Sequence, residues 1–503
     1  MATSGTNGGT GGGNGRTNLS ELALRNSTLT VFFMVVLTLA GVFAYFSLGR
    51  GEDPPFTIKQ MVVSAAWPGA TAREVEQQVT DKIETKLQEL PFFYNVTSYT
   101  KPGETVIYVS LRDDVPPAKV ADLWYQVRKK VGDIKGSLPQ GVVGPFFNDE
   151  YGDTYSLIWA FEADGFSPAE VKEIAKDVRQ RVLRVPDVTK VDLFGLQDEK
   201  IFLEFSHERL AMMGVTVEQI FDVVRKQNAV VASGTVETKG ERVAVRVDGA
   251  PTSAADLAAL PFAANGQTFT LADIADIKRG YEDPPKSTMR FKGKRVIGLG
   301  VVMAAGGNVQ ALGKALDAAM KQVERDLPVG ITVHRVANQP EVVESSFEEF
   351  IHSLGEALAI VLVVSFVSLG VRTGVIVALS VPLVLAITFV GMMLLGIDFQ
   401  RISLGALIIA LGLLVDDAII AVEMMMVKLE QGFSRMEAAT FAYTSTAFPM
   451  LTGTLVTAAG FVPVGFAKSS AGEYTNSIFW VVGLSLVISW FVAVLFTPWQ
   501  IGR

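Results

Sequence analysis

The stretch that decides the fold is GALIIALGLLVDDAIIAVE, Gly405–Glu423, in which Asp416 and Asp417 interrupt an apolar run. The run extends over residues 402–426, which is enough helix to cross the ~30 Å hydrocarbon core of a bilayer. One carboxylate at that depth costs roughly 2.5–3.5 kcal/mol even on the lenient insertion scale. Burial and mutual repulsion favour a proton held by the pair, as in the proton relays of pumps. We therefore interpret Asp416 and Asp417 as proton-relay residues; the alternative is a pair that lies among lipid headgroups, with Glu423 at the interface.

Other apolar segments on both sides of this run are also long enough to span a bilayer. The first could instead be a secretory signal peptide, but its apolar core is longer than the ~7–15 residues usual for one. The sequence thus predicts one span, a large polar region and five further spans. The segments besides 402–426 are Leu29–Leu48, Phe350–Leu369, Thr373–Leu395, Ala447–Phe466 and Ile478–Trp499.

The Lys and Arg of the short connections indicate the orientation, because cytoplasmic loops carry an excess of them. We expect a disordered cytoplasmic tail at residues 1–18, a first transmembrane helix at 19–48, a periplasmic region at 49–349, transmembrane helices two to six at 350–499 and a cytoplasmic end at 500–503. We also interpret 427–446 as an amphipathic linker helix on the cytoplasmic surface. One set of connections holds Arg16, Arg25, Arg372, Lys428, Arg435 and Arg503, and the opposite set holds Arg401 and Lys468.

Composition excludes several classes of protein. Only 19% of the 503 residues are charged and the mean hydropathy is +0.33, whereas soluble proteins carry roughly 25% charge. The absence of cysteine excludes disulfide scaffolds and thiolate metal sites. The net charge of −8 gives no support to nucleic-acid binding. No nucleophile motif, phosphate loop or cluster of metal ligands occurs in the polar region, so we expect neither an enzyme nor a resident metal.

The polar region contains a repeated pattern, which begins at Trp67 and again at Glu162. Each copy has a helix-start signal, then apolar residues three or four apart, a proline, and two alternating apolar runs joined by a glycine-containing turn. The pattern predicts strand–helix–strand–strand units of ferredoxin-like subdomains. A similar strand–helix pattern returns near residues 296–336. The expected fold class is an α-helical membrane protein with an α+β extramembrane domain.

The run GLLVDDAIIAVE, followed by a charged linker and then by TLVTAAGFVPVGF and VLFTP, resembles the resistance–nodulation–division (RND) efflux permeases of the drug and hydrophobe exporter branch. The resemblance extends from Asn18 to Pro498. It implies a bacterial inner-membrane protein with a porter domain of ferredoxin-like subdomains and a docking subdomain inserted around Asp192–Gly280. Metal-exporting relatives usually replace the second aspartate, so the intact pair implies organic substrates.

The resemblance also implies site residues and partners. Asp416 and Asp417 correspond to the family's proton-relay pair, and Phe194 and Tyr155 correspond to aromatics of its deep substrate pocket. No cofactor is implied, because a proton gradient supplies the energy. The implied partners are small amphiphilic substrates, a periplasmic adaptor protein and an outer-membrane channel.

Family members are about twice as long, with a second set of span, porter domain and five spans. The chain is therefore expected to be the amino-terminal half of a permease, and a homotrimer once joined to a second half that supplies a lysine to the aspartates. The alternatives are a half-size protein that dimerises, a transport-inactive half that acts only as a membrane-anchored interaction module, and a metal-exporting relative.

Overall fold

The computed structural model describes residues 18–227, 232–237, 242–246, 251, 253–264, 267–304 and 306–501. Most of the predicted tail at 1–18 and the last two residues of the predicted end at 500–503 lie outside the described residues. The described residues begin with a short helix, α1, and a long apolar helix, α2, whose outward-facing side chains include Leu39, Phe43 and Phe46. Their bounds are α1 Leu19–Arg25 and α2 Ser27–Ser47.

Residues 60–148 form the first sheet domain. A four-stranded antiparallel sheet in the order β2–β3–β1–β4 carries its helices on one face. The first helical stretch begins at a capping box between Thr71 and Glu74, as the sequence predicts. The elements are β1 Gln60–Ala66, α3 Ala72–Val75, a π-helical turn Glu76–Thr80, α4 Asp81–Leu87, β2 Phe93–Lys101, β3 Glu104–Leu111, α5 Pro117–Asp133 and β4 Val143–Asn148.

The second sheet domain has the same order of elements, but its chain is interrupted. Strand β6 pairs with β14 (Lys294–Met303), β14 with β5, and β5 with β15 (Ile331–Asn338). The four main strands therefore take the same positions, in chain order, as in the first sheet domain. Its first helix also begins at a capping box, between Ser167 and Glu170. Before the interruption come β5 Leu157–Ala163, α6 Pro168–Val182 and β6 Val188–Phe194.

The interruption is a separate unit, the insert domain, between Phe194 and Met289. Its first and last strands, β7 and β12, pair antiparallel, so the chain leaves and re-enters the sheet at neighbouring points. A small apolar core that includes Leu210, Ile220 and Leu271 holds it together. Its elements are β7 Glu199–Glu204, α7 His207–Met213, α8 Val217–Gln227, β8 Ala232–Glu237, β9 Arg242–Arg246, α9 Ala254–Ala258, β10 Pro261–Ala264, β11 Gln267–Thr270, α10 Leu271–Ile274 and β12 Asp276–Tyr281.

The second sheet domain is completed after the insert and runs directly into the helix bundle. Strand β15 ends at Asn338, and α12 begins at the next residue. The continuing elements are β13 Met289–Phe291, β14 Lys294–Met303, α11 Val309–Asp326, β15 Ile331–Asn338, α12 Gln339–Leu369, α13 Val371–Leu395, α14 Arg401–Glu430, α15 Arg435–Gly460, α16 Val462–Gly465, α17 Ser470–Leu495 and α18 Thr497–Ile501.

Five helices among the described residues are long and apolar enough to cross a membrane. The predicted segment at 447–466 falls instead on α15 and α16, where threonines dilute the apolar residues. The predicted linker helix at 427–446 is wrong. Helix α14 continues to Glu430, Gly432 adopts φ +86°, and a capping box at Ser434 starts α15. The spans are Ser27–Ser47, Gln339–Val367, Thr373–Leu395, Arg401–Glu430 and Ser470–Ile501.

Candidate functional site

Helix α14 lies inside the bundle and packs along α17, with α13 and α15 beside it. One face of α14 is buried over its whole length, from Ser403 to Met425, and small residues such as Ala410 and Ala418 let the neighbouring helices approach. Asp416 and Asp417 lie between the buried residues Val415 and Ala418, but neither carboxylate is on the buried face. The sequence thus places two acidic side chains on a helix that apolar packing holds in position.

The two aspartates project in different directions but line one cavity. Asp417 is half-buried, whereas Asp416 is exposed, as expected for adjacent residues that project about 100° apart on a helix. Both contribute to a cavity of about 410 Å³ between α14 and α15. Its polar lining besides the carboxylates consists of the hydroxyls of Ser445, Thr446, Thr454 and Thr457.

Thr454 is a direct hydrogen-bond partner of Asp417. Its hydroxyl lies 3.2 Å from Oδ2 of Asp417 and 2.9 Å from the carbonyl of Met450. A hydroxyl that has both acceptors within reach can donate to either one, or accept a hydrogen bond from a protonated carboxyl. Sequence reasoning missed Thr454; the signal available for it was the spacing of threonines and serines in the segment TSTAFPMLTGTLVT.

Helix α17 holds α14 through polar contacts as well as apolar ones. The buried hydroxyl of Ser489 donates to the carbonyl of Leu414 at 2.7 Å, two residues before Asp416. The indole N–H of Trp490 donates to the carbonyl of Ala447 on α15 at 2.8 Å. These two bonds fix α17 against both helices that line the cavity.

The second predicted pair, Tyr155 and Phe194, also comes together. Their ring centroids are 5.0 Å apart and the rings are nearly perpendicular at 84°. The rings lie over strand β14 where it has no side chain: a Cβ on Gly300 would lie 2.6 Å from Tyr155 and 2.8 Å from Phe194. The glycine therefore makes the space that the two rings occupy on the open face of the second sheet domain.

Charged side chains surround the hydroxyl of Tyr155. The hydroxyl donates to Oδ2 of Asp192 at 2.9 Å, and Lys190 lies within 3.5 Å of carboxylates of Glu150, Asp153 and Asp192. Burial and then the bond to Asp192 raise the pKa of Tyr155 to about 12, so the phenol is neutral at physiological pH. The hydrogen bond to Glu150 is the main cause that raises the pKa of Lys190. Sequence reasoning did not predict these charged neighbours.

The two sites are in different parts of the molecule, one in the helix bundle and one on the second sheet domain. Among the residues that the structure describes, no group of three or more His, Cys, Asp or Glu side chains could hold a metal ion.

Comparison with known proteins identifies the family. Residues 19–503 match the AcrB/AcrD/AcrF family. The cobalt-zinc-cadmium resistance protein CzcA of Cupriavidus metallidurans is 28% identical over 93% of this chain and 45% of its own length. The multidrug resistance protein MdtC of Pantoea ananatis is 25% identical over 95% of this chain and 47% of its own length. The multidrug export protein AcrF of Escherichia coli shows 25% identity with the same coverage.

The chain spans about half the length of the curated relatives it matches. The match includes the apolar helices, both sheet domains and the aspartate-bearing α14. The chain therefore belongs to the AcrB/AcrD/AcrF family and is an RND permease sequence.

Proposed function

We propose that the chain forms the proton-coupled half of an inner-membrane exporter of amphiphilic organic compounds. The observation that carries the proposal is the cavity between α14 and α15, in which Asp416 and Asp417 face hydroxyl groups inside a largely apolar bundle. Carboxylates in that setting are costly, and membrane anchoring alone gives no reason to keep two of them.

Two features of the cavity support a proton relay. Asp416 is exposed and can exchange protons with its surroundings, and Asp417 is half-buried beside the hydroxyl of Thr454. Each proton that moves down a membrane potential supplies ~2.3 kcal/mol per 100 mV. Uptake of a proton removes one negative charge from the cavity, which changes the balance of forces between α14 and α15. In the complete transporter a lysine of a second half would neutralise the deprotonated pair.

The extramembrane domains supply the substrate path in this proposal. The two sheet domains act as porter subdomains in the periplasm, and the insert domain docks toward an adaptor protein and an outer-membrane channel, in a homotrimer of complete subunits. Tyr155 and Phe194 line the substrate pocket, where edge-on rings suit flat apolar molecules. The multidrug names of the relatives MdtC and AcrF support organic substrates.

Divalent metal cations are the second candidate substrate. Two relatives at 28% identity are named as cation efflux and cobalt-zinc-cadmium resistance proteins. On this alternative the aspartates keep their role in proton coupling and only the cargo differs.

The test is export by the complete transporter in a bacterial strain that lacks its own efflux pumps. We expect Asp416→Asn and Asp417→Asn each to abolish ethidium efflux at unchanged expression, while Glu423→Gln, an exposed carboxylate on the same helix, leaves efflux unchanged. Efflux that survives both aspartate substitutions would contradict the proposal. Resistance to zinc and cobalt salts without ethidium efflux would support the metal alternative.

A further inference from the structure

A buried lysine lies at the junction between the first sheet domain and the helix bundle. The side chain of Lys59, just before strand β1, is only 6% exposed. Its ammonium group lies 2.7 Å from Oε1 of Glu473 on α17 and donates to the carbonyl of Asp113 at 2.7 Å. A lysine is almost never buried without partners, because the charge loses its hydration. The pair with Glu473 therefore compensates a charge that the junction encloses.

Two further groups of contacts join the same parts. The other oxygen of Glu473 accepts the backbone N–H of Thr57 at 2.9 Å. The carboxylate of Asp113, just after strand β3, accepts both the N–H and the hydroxyl of Ser470, at 2.9 Å and 2.6 Å. These hydrogen bonds from Ser470 lower the pKa of Asp113, so its carboxylate is charged at neutral pH. The first turn of α17 is thus attached to both inner strands of the first sheet domain.

The second sheet domain is attached to a different helix. Its last strand, β15, continues without a break into α12, and the N–H of Gln339 donates to the carbonyl of Ser156 at 2.9 Å. Helices α12 and α17 both pack against α14. A shift of α17 relative to α12 around the aspartate-bearing helix would therefore move one sheet domain relative to the other.

We infer that Lys59, through Glu473, is a positioning residue that transmits movement of α17 to the first sheet domain. The inference rests on the proposed function, because it assigns the movement to a change of charge at Asp416 and Asp417. A buried charge pair suits this role, since it resists sliding: any displacement of α17 that left the sheet domain behind would expose or unpair an enclosed charge. Lys59 touches neither the proton site nor the aromatic pair Tyr155 and Phe194.

The test measures the distance between the two sheet domains directly. The sequence contains no cysteine, so cysteines introduced at the exposed positions Ala121 on α5 and Gln322 on α11 are the only labelling sites in this chain. Spin labels on the complete transporter report the distance by pulsed electron resonance, in mildly alkaline and in mildly acidic buffer. We expect the distance distribution to shift on acidification.

Two substitutions at the junction should abolish that shift. Lys59→Met removes the charge, and Glu473→Gln keeps the acceptor for Thr57 while it removes the opposite charge. Lys59→Arg should retain the shift, because a guanidinium can pair with Glu473. The matched control is Lys101→Met, which removes an exposed lysine of the same domain that pairs with Glu104. Lys59→Met and Glu473→Gln should both retain proton conduction but lose about tenfold in coupled ethidium export.

The outcomes separate the inference from the proposed function. If the distance shift on acidification persists in both Lys59→Met and Glu473→Gln, the inference is overturned and the proposed function is left intact. The same conclusion follows if the unsubstituted protein exports ethidium without any distance shift. A shift that persists in the Asp416→Asn and Asp417→Asn variants contradicts the assignment of proton coupling to α14. Loss of the distance shift in Lys59→Met with rescue by Lys59→Arg supports the inference. Retained proton conduction in Lys59→Met distinguishes this result from general destabilisation, which would reduce proton conduction and ethidium export together.

Discussion

At the scale of single residues, Gly300 determines how Tyr155 and Phe194 pack. We expect Gly300→Ala to destabilise the second sheet domain by about 1–3 kcal/mol, because a methyl group 2.6 Å from one ring and 2.8 Å from the other forces both rings to move. The measurement is the thermal unfolding midpoint of the purified protein. The matched control is Gly132→Ala on α5, where no atom outside the neighbouring helix backbone lies within 4 Å of the added Cβ and where alanine should stabilise the helix by about 0.5–1 kcal/mol. Equal effects at the two positions would contradict the steric argument.

A second residue-scale prediction concerns Asp113 and acid. Its folded-state pKa is lowered by the hydrogen bonds from Ser470. The stability that these bonds contribute is therefore present above the unfolded-state pKa and is lost as the pH falls through the lower folded-state value. We expect Asp113→Asn to lower the thermal midpoint at neutral pH and to lower it less in strong acid. If the difference in thermal midpoint between Asp113→Asn and the unsubstituted protein grows on acidification, the stabilising role assigned to the charged Asp113 carboxylate is contradicted.

At the scale of elements, the contact between α14 and α17 depends on a small hydroxyl residue. Ser489→Ala should cost about 0.6 kcal/mol, the average for an interhelical hydrogen bond in a membrane. Ser489→Leu should cost about 1–3 kcal/mol, because the larger side chain pushes α17 away from Leu414. The control is Ser485→Ala on the same helix, whose buried hydroxyl bonds only within α17, to Val481. Thermal midpoints of the three variants, measured in one detergent, check this order.

The sequence predicts these elements to different degrees. Helix starts at Thr71 and Ser167 are predictable because a hydroxyl and a glutamate three residues apart form a local capping box. The extent of α14 and α15 is not predictable in this way. The charged residues Lys428 and Glu437 resemble a surface linker, although Lys428 belongs to the last turn of α14 and Glu437 to the first turn of α15. Composition indicates that the segment is polar, but the break between α14 and α15 depends on Gly432 and on the cap at Ser434.

The same contrast holds for the candidate sites. Asp416 and Asp417 stand out in the sequence because their cost inside an apolar run is visible without a structure. Thr454, Asp192 and Lys59 do not stand out, because each acquires its role from a partner distant in sequence: Asp417, Tyr155 and Glu473 respectively. Only the packing of helices and strands brings such pairs together.

At the scale of the whole molecule, the insert domain leaves and re-enters the second sheet domain at neighbouring points. Glu199 and Tyr281 are partners in the β7–β12 register, so their Cα atoms are about 5 Å apart. We expect a protein in which a short Gly/Ser linker replaces residues 199–281 to retain the second sheet, with β6 still paired to β14. Limited proteolysis and circular dichroism check this expectation. Unfolding of the second sheet domain in this variant would show that the insert domain is part of its core.

The uninterrupted passage from β15 into α12 has a mechanical consequence. A helix of 31 residues is a rod roughly 46 Å long, and a tilt of about 5° at one end displaces the other by about 4 Å. A small tilt of α12 therefore becomes, at the far end of such a lever, a stroke of several ångströms at the sheet. Insertion of a flexible hinge at Gln339 would absorb that stroke before it reached the sheet.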